Sequence, residues 1–348
     1  MNVVKRHSHV IGGLVFFAIV ATLPLWLLTG PYLQGLGVSA LVVASLSVAW
    51  NLVGGYAGRL SFGHAAFFGL GAYTSSLLLI HFDVSPWIGA VAGMLVAGLT
   101  AILLGSLTTH LRGIYFTLVT FVFSLLLMNL ARYFTGFTGG DVGLSLPLTQ
   151  PSFAMMQFRG QTAWYYLALV MLLAFMVISW LLVRSPFGFR LRAIRDDVDV
   201  ARALGVKTEA VKLEVFTLSA MMVAFAGTVV AQHQLFIDPG GAFGLGTSVE
   251  MALGAIFGGV GTLWGPVVGG IAIVLIGEGA RLTMENVFPG ADVIVYGIIL
   301  VAVALWLPGG LASIPQKIRA MHRRRRGSER AGADTAPPTG VVKEGASP

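Results

Sequence analysis

The chain has 348 residues, of which 56% are hydrophobic and only 11% charged, with a mean hydropathy of +0.84. A soluble domain carries about 25% charged residues, so the composition is that of a polytopic membrane protein. The absence of cysteine excludes disulfides, a thiolate nucleophile and a zinc–thiolate site. The net charge of +7 does not point to nucleic acid, because the basic residues gather in one internal island and the C-terminal tail, where membrane topology would place them.

Lys5 and Arg6 precede an apolar run from Val10 to Leu28, read as an uncleaved first membrane helix because another span follows at once. Further runs extend over Leu36–Val53, Ser61–Ile80, Trp87–Leu107, Ile114–Ala131, Ala163–Val183, Val215–Gln234, Val249–Leu263, Val267–Leu282 and Ala291–Leu307. The expected fold is therefore an all-α polytopic membrane protein of about ten transmembrane helices. Residues 1–312 form the transmembrane domain. Val249–Leu263 is short enough to be either a span or a re-entrant hairpin. With the N-terminus inside, the inner connections hold Arg59, Arg112, the island and the tail; the outer ones hold Arg132 and Arg159. Ten crossings then place both termini in the cytoplasm.

Between the spans, the glycine-rich stretch Gly58–Tyr73, GRLSFGHAAFFGLGAY, predicts a break in the helix between Val53 and Ser61. Such a break frees backbone groups that must face a cavity or bind something. Gly58, Ser61, Gly63 and His64 are the candidates for lining a polar translocation path; for His64, a hydrogen-bonded packing role stands beside that reading. GYAGRLSFG at 55–63 and GGVGTLWG at 258–265 share a glycine pattern, which suggests an internal parallel repeat. Asp141, in TGGDVGLSLP, lies in a long outer connection of a length often used as a lid or docking surface.

The island runs from Arg184 to Lys212 and is dense in charge. Leu191, Ile194, Val198, Ala201 and Leu204 recur at steps of three and four, predicting one amphipathic helix of about three turns. Asp196 and Asp197 suit its first turn, Arg202 its last, and Gly205 the left-handed position after it. Thr208 reads as the N-cap of the next helix. The helix either lies on the lipid surface or enters a partner's groove.

No catalytic constellation appears: neither G-x-S-x-G nor H-E-x-x-H is present, and no metal or cofactor site is expected. Gly205-Val206-Lys207-Thr208 lacks the glycines of a nucleotide loop, so uphill transport would draw on a partner or an ion gradient. Of the few intramembrane ionisable groups, Glu250 reads as the end of a capping box from Thr247, and Glu278 pairs with Arg281. Residues 313–348 are expected to be a tail, basic from Lys317 to Arg330 against anionic headgroups and largely disordered beyond.

Taken in order, AWNLVGGYAGRLSFGHAAFFGLGAY, GIYFTLVTF, TGGDVGL, SPFGFRLRAIRDDVDVARALGV and GTSVEMALGAIFGGVGTLWGPVVGG closely resemble the LivM-type permease subunit of branched-chain amino acid ABC transporters. The resemblance implies an ABC importer permease fold in a bacterial inner membrane, pairing with a homologous second permease subunit of the LivH type. It also implies two cytoplasmic ATPase subunits and a periplasmic or lipid-anchored substrate-binding protein. In such families an A-x-x-x-G pattern marks the cytoplasmic coupling loop. Here Ala201 to Gly205 matches it through Leu204, approached by Arg195, Asp196 and Asp197, within a loop spanning 184–212. A urea or short-chain amide permease is the alternative that the resemblance leaves open.

Overall fold

The computed structural model describes residues 16–111, 113–148, 150–284 and 297–298. Helix α1 (Phe16–Trp26) leads into α2 (Pro31–Asn51), which continues as a π-helical turn over Leu52–Tyr56. After an irregular stretch come α3 (His64–Phe82), α4 (Pro86–Thr108) and α5 (Ile114–Tyr133). The long connection holds α6 (Thr135–Thr138) and strand β1 (Leu144–Ser145) before α7 (Gln161–Arg184). The island folds as α8 (Pro186–Asp196) and α9 (Val198–Ala203). Then follow α10 (Thr208–Gln234), β2 (Phe236–Ile237), α11 (Pro239–Phe243), α12 (Leu245–Gly258) and α13 (Gly265–Met284).

Among the described residues eight helical segments are long and apolar enough to cross a membrane, with α11 and α12 counting as one. The first of the ten expected spans is described only from Phe16, and Ala291–Leu307 and the 313–348 tail lie outside the described residues, apart from 297–298. The segment around Val249 is not a re-entrant hairpin. It begins at Pro239, beside the β1–β2 ribbon, and ends at Gly258, beside the end of α2, so it passes from one face to the other.

Helix α2 is the central post. From Ala40 onward it is buried, with Ala44, Ala49, Trp50 and Leu52 fully enclosed, and it packs on α7, α10, α12 and α13. Helices α3, α4 and α10 form a second tightly packed group. Their approach depends on glycine: a Cβ at Gly71 would strike the Ala224 carbonyl, and one at Gly227 the Phe68 carbonyl, the close backbone packing that membrane helices favour. Helices α4 and α5 leave a broad apolar surface uncovered, including Leu99, Leu103, Leu118 and Val122. In water this would be a liability; against lipid or another membrane subunit it is the expected exterior.

All the connections carrying the island, the α2–α3 break and the α12–α13 turn fall on one face, here called the island face. The opposite face carries the connection between α5 and α7. There Leu144 pairs with Ile237 and Ser145 with Phe236, and Asp141 forms an ion pair with Arg132 at 2.8 Å. Glu278 and Arg281 pair as their spacing predicts, at 2.5 Å, with Tyr32 completing the cluster.

Candidate functional site

The helix break expected between Val53 and Ser61 is present. Ala57 N donates to Leu52 O, the five-residue step of a π turn, and helix is not regained until His64. Two of the freed carbonyls are satisfied by side chains. Trp50 Nε1 donates to Ser61 O at 2.8 Å, and Thr117 Oγ1 to Leu60 O at 2.9 Å. Arg59 leaves the break in the other direction: it lies 3.7 Å over the Phe116 ring and donates to the carbonyls of Thr108 and Leu111. Burial lowers its guanidinium to about 10, which leaves it charged at neutral pH.

Of the four residues predicted to line a path, Ser61, Gly63 and His64 are brought together and buried, while Gly58 is exposed. His64 is fully enclosed by Trp50, Phe67 and Phe216. Its Nδ1 lies 3.0 Å from Ser61 Oγ and its Nε2 3.0 Å from Ser219 Oγ, while Ser219 Oγ donates to Ala49 O at 2.6 Å. Only one proton arrangement uses every group. The Ser61 hydroxyl donates to Nδ1, Nε2–H donates to Ser219, and the Ser219 hydroxyl donates to Ala49. This chain links α2, the break, α3 and α10.

The two glycine stretches with the repeat pattern meet in space. Asn51 Nδ2 donates to Thr262 O at 2.9 Å, and Gly261 N donates back to Asn51 Oδ1 at 2.8 Å. Between them sits Arg195 of the island. A Cβ on Gly58 would be 3.2 Å from Arg195 Cγ, and one on Gly261 would collide with the Arg195 guanidinium. Both glycines have positive φ, +67° and +74°, the region that glycine adopts without steric cost. Arg195, itself exposed, therefore rests against both turns, and these join α2 to α3 and α12 to α13.

The island itself differs from the single helix that its spacing predicts. Asp197 is extended, at φ −156° and ψ 117°, and breaks the helix. Its carboxylate caps α9, accepting from Asp199 N at 2.8 Å and Val200 N at 3.1 Å. Competition of this local capping bond with helix continuation explains the break. Leu191, Ile194 and Ala201 are buried within the protein's own core, so these stripe positions have no surface to offer. Leu204, by contrast, is 78% exposed, and Phe189 and Val200 are also exposed. Asp196 and Arg202 lie on the surface, with Arg202 held by Glu209 at 2.6 Å. Gly205 adopts φ +84°, the left-handed position expected of it. Thr208 is the first residue of α10 rather than its cap, the capping position being taken by Lys207.

Glu250 does not close a capping box either. Helix α12 starts at Leu245, and Thr247 Oγ1 instead donates to Gly241 O at 2.7 Å. Glu250 faces a cavity of about 300 Å³ toward the opposite face, whose apolar walls come from α2, α3 and α10 and whose polar groups include His233, Asp238 and Thr247. The sequence reading missed His233 and Asp238, because only the return of the chain through β2 and α11 brings them next to Glu250.

A bundle of apolar crossings around a buried post, with a charged island tied to its glycine turns, defines a multi-pass membrane permease. Residues 32–304 match the family described as branched-chain amino acid transport system / permease component, and the chain belongs to that family. It is 28% identical over 289 residues to the high-affinity branched-chain amino acid transport system permease protein LivM of Salmonella typhimurium and to that of Escherichia coli K12, covering 76% of this chain. It is also 30% identical over 223 residues to the autoinducer 2 import system permease protein LsrC of Escherichia coli O157:H7, covering 56% of this chain and 61% of that protein. The chain spans 66% of the length of the LivM relatives it matches. No solved structure matches it.

Proposed function

We propose that this protein is the membrane-spanning permease subunit of an ATP-binding cassette importer for branched-chain amino acids. The observation that carries the reading is the seat of Arg195 between Gly58 and Gly261. Force applied to α8 and α9 from outside is delivered to both turns and hence to four spans. The exposed apolar residues Val200 and Leu204 are the contact offered to a separate ATPase subunit, and Asp196, Asp197 and Arg202 set its register. Ala201 acts from below, as the buried floor under that contact.

The island face is the cytoplasmic one, since Arg59, Arg184, Arg190, Arg192, Arg195, Arg202 and Lys207 lie there against Arg132, Arg159 and Arg281 opposite. The uncovered face of α4 and α5 is available to a second, homologous permease subunit. A substrate-binding protein delivers from the opposite face, where the cavity beside Glu250 has the apolar walls and few polar groups suited to a zwitterion with an aliphatic side chain. The path then passes the Ser61–Gly63–His64 segment, which is sealed in this conformation. The setting is a bacterial inner membrane. The family match does not favour a urea or amide substrate.

The test is transport by proteoliposomes holding this chain, its sister subunit, the ATPases and the binding protein. Leucine uptake is expected only with ATP. The pair Val200→Asp and Leu204→Asp is expected to abolish uptake by loosening the ATPase subunit, while the permease itself still folds and inserts. Uptake by this chain alone, driven by a proton or sodium gradient, would refute the reading.

A further inference from the structure

On the island face a second cavity, of about 660 Å³, lies between α1, α7, α8 and the α12–α13 turn. Its wall has two chemically distinct parts. Phe17, Leu173, Met176, Val177, Trp180 and Trp264 make one side apolar, while Arg184, Arg192 and Arg195 line the other. The three guanidiniums are spaced along the end of α7 and one side of α8, at the level where the chain leaves its apolar crossings. Arg184 stacks 4.3 Å from the Trp180 ring, and Arg192 Nη2 donates to Val183 O at 2.7 Å, so two of the three are held in place. Among the described residues no carboxylate pairs with any of them. The apolar part continues outward along α7 through exposed Leu173, Val177 and Leu181.

These features select one kind of occupant. A small soluble anion would satisfy the arginines and leave the apolar wall wet. An alkyl chain alone would fill the wall and leave three positive charges uncompensated. A phosphodiester carrying acyl chains does both, and guanidinium is the side chain best matched to phosphate oxygens. We propose that this cavity is a binding site for an anionic phospholipid, with its headgroup phosphate on Arg184, Arg192 and Arg195 and one acyl chain running along Leu173 and Val177. Basic pockets between membrane helices at the headgroup level recognise such lipids. Because Arg195 also rests against both glycine turns, the lipid would brace the island.

The site is tested on the full-length chain in detergent by native mass spectrometry and thermal shift, with phosphatidylglycerol, phosphatidylcholine or inorganic phosphate added. Neither readout depends on transport. One phosphatidylglycerol is expected to bind and raise Tm, with phosphatidylcholine and phosphate giving no comparable shift. The double substitution Arg184→Gln and Arg192→Gln is expected to weaken phosphatidylglycerol binding at least tenfold. Val177→Trp, at an exposed position with all three charges kept, is expected to weaken it as well, and serves if the double variant fails to fold. Unchanged phosphatidylglycerol binding in Val177→Trp would overturn the proposal. So would equal retention of phosphatidylcholine. An equal shift from phosphate alone would assign the arginines to a soluble anion instead.

Discussion

His64 and Gly261 illustrate what a single residue contributes here. The proton chain from Ser61 through His64 and Ser219 to Ala49 is wholly buried. In Ser219→Ala, Nε2–H of His64 loses its acceptor in a place water does not reach, which costs about 1–3 kcal/mol. Tm in detergent is expected to fall accordingly; an unchanged Tm would mean that this chain of bonds does not hold the helices. Gly261→Ala places a Cβ at φ +74° against the Arg195 guanidinium, and the left-handed backbone alone costs about 1–2 kcal/mol. Gly58→Ala, at φ +67°, carries the same backbone cost but comes no closer than 3.2 Å to Arg195, at Cγ, so its steric overlap is smaller. Arg195→Ala, added to Gly261→Ala, removes the collision. Stability is expected to recover in part, an interaction that a double-mutant cycle measures, while loss of Arg195 itself is expected to abolish ATP-driven uptake. A histidine in a glycine-rich span is visible in the sequence. Its partner, 155 positions later, is not, because nothing local encodes which helix α3 will face.

At the scale of elements, periodicity identified the buried side of the island at Leu191, Ile194 and Ala201 and failed at Leu204. The failure lies at Asp197, whose side chain can either continue a helix as a passive surface residue or terminate it by capping the next one. Spacing alone does not distinguish these outcomes. The break turns α9 relative to α8, and with it Leu204 turns outward. Asp197→Ala removes two accepted hydrogen bonds at the start of α9, a loss of about 1 kcal/mol for a capping residue. Amide hydrogen exchange over 198–204 is expected to accelerate by roughly the five-fold that this energy corresponds to, with the spans unaffected. Uniform exchange rates before and after would place the break's cause elsewhere. The burial of Ala201 also means that removing 196–204 wholesale would uncover core, so substitutions at Val200 and Leu204 separate docking from folding where a deletion does not. Among the described residues the spans were legible almost to their ends, since long apolar runs admit few alternatives in lipid. The exception is α11–α12, which begins at Pro239 and is divided at Gly244; its apolar run over Val249–Leu263 alone left span and re-entrant hairpin both open.

For the whole molecule, the decisive arrangement is that the island and both glycine turns share one face and the β1–β2 ribbon occupies the other. Every crossing from α2 to α13 alternates between these two faces, so one measurement of sidedness orients them all. Lacking cysteine, the chain allows single thiols to be introduced without background. Leu204→Cys reports the island, and Val142→Cys or Leu148→Cys the opposite face; these leucines and the valine are 78%, 83% and 82% exposed in the order Leu204, Val142, Leu148, so each thiol is open to reagent unless a partner covers it. In intact cells a membrane-impermeant maleimide is expected to label Val142→Cys and Leu148→Cys and to spare Leu204→Cys until the membrane is opened. After opening, the ATPase subunit is expected to protect Leu204→Cys, and its removal to restore labelling. Labelling of Leu204→Cys in intact cells would put the island out of reach of any cytoplasmic ATPase. The contact of Arg195 with both turns would then have nothing to transmit, whatever the bundle above it moves.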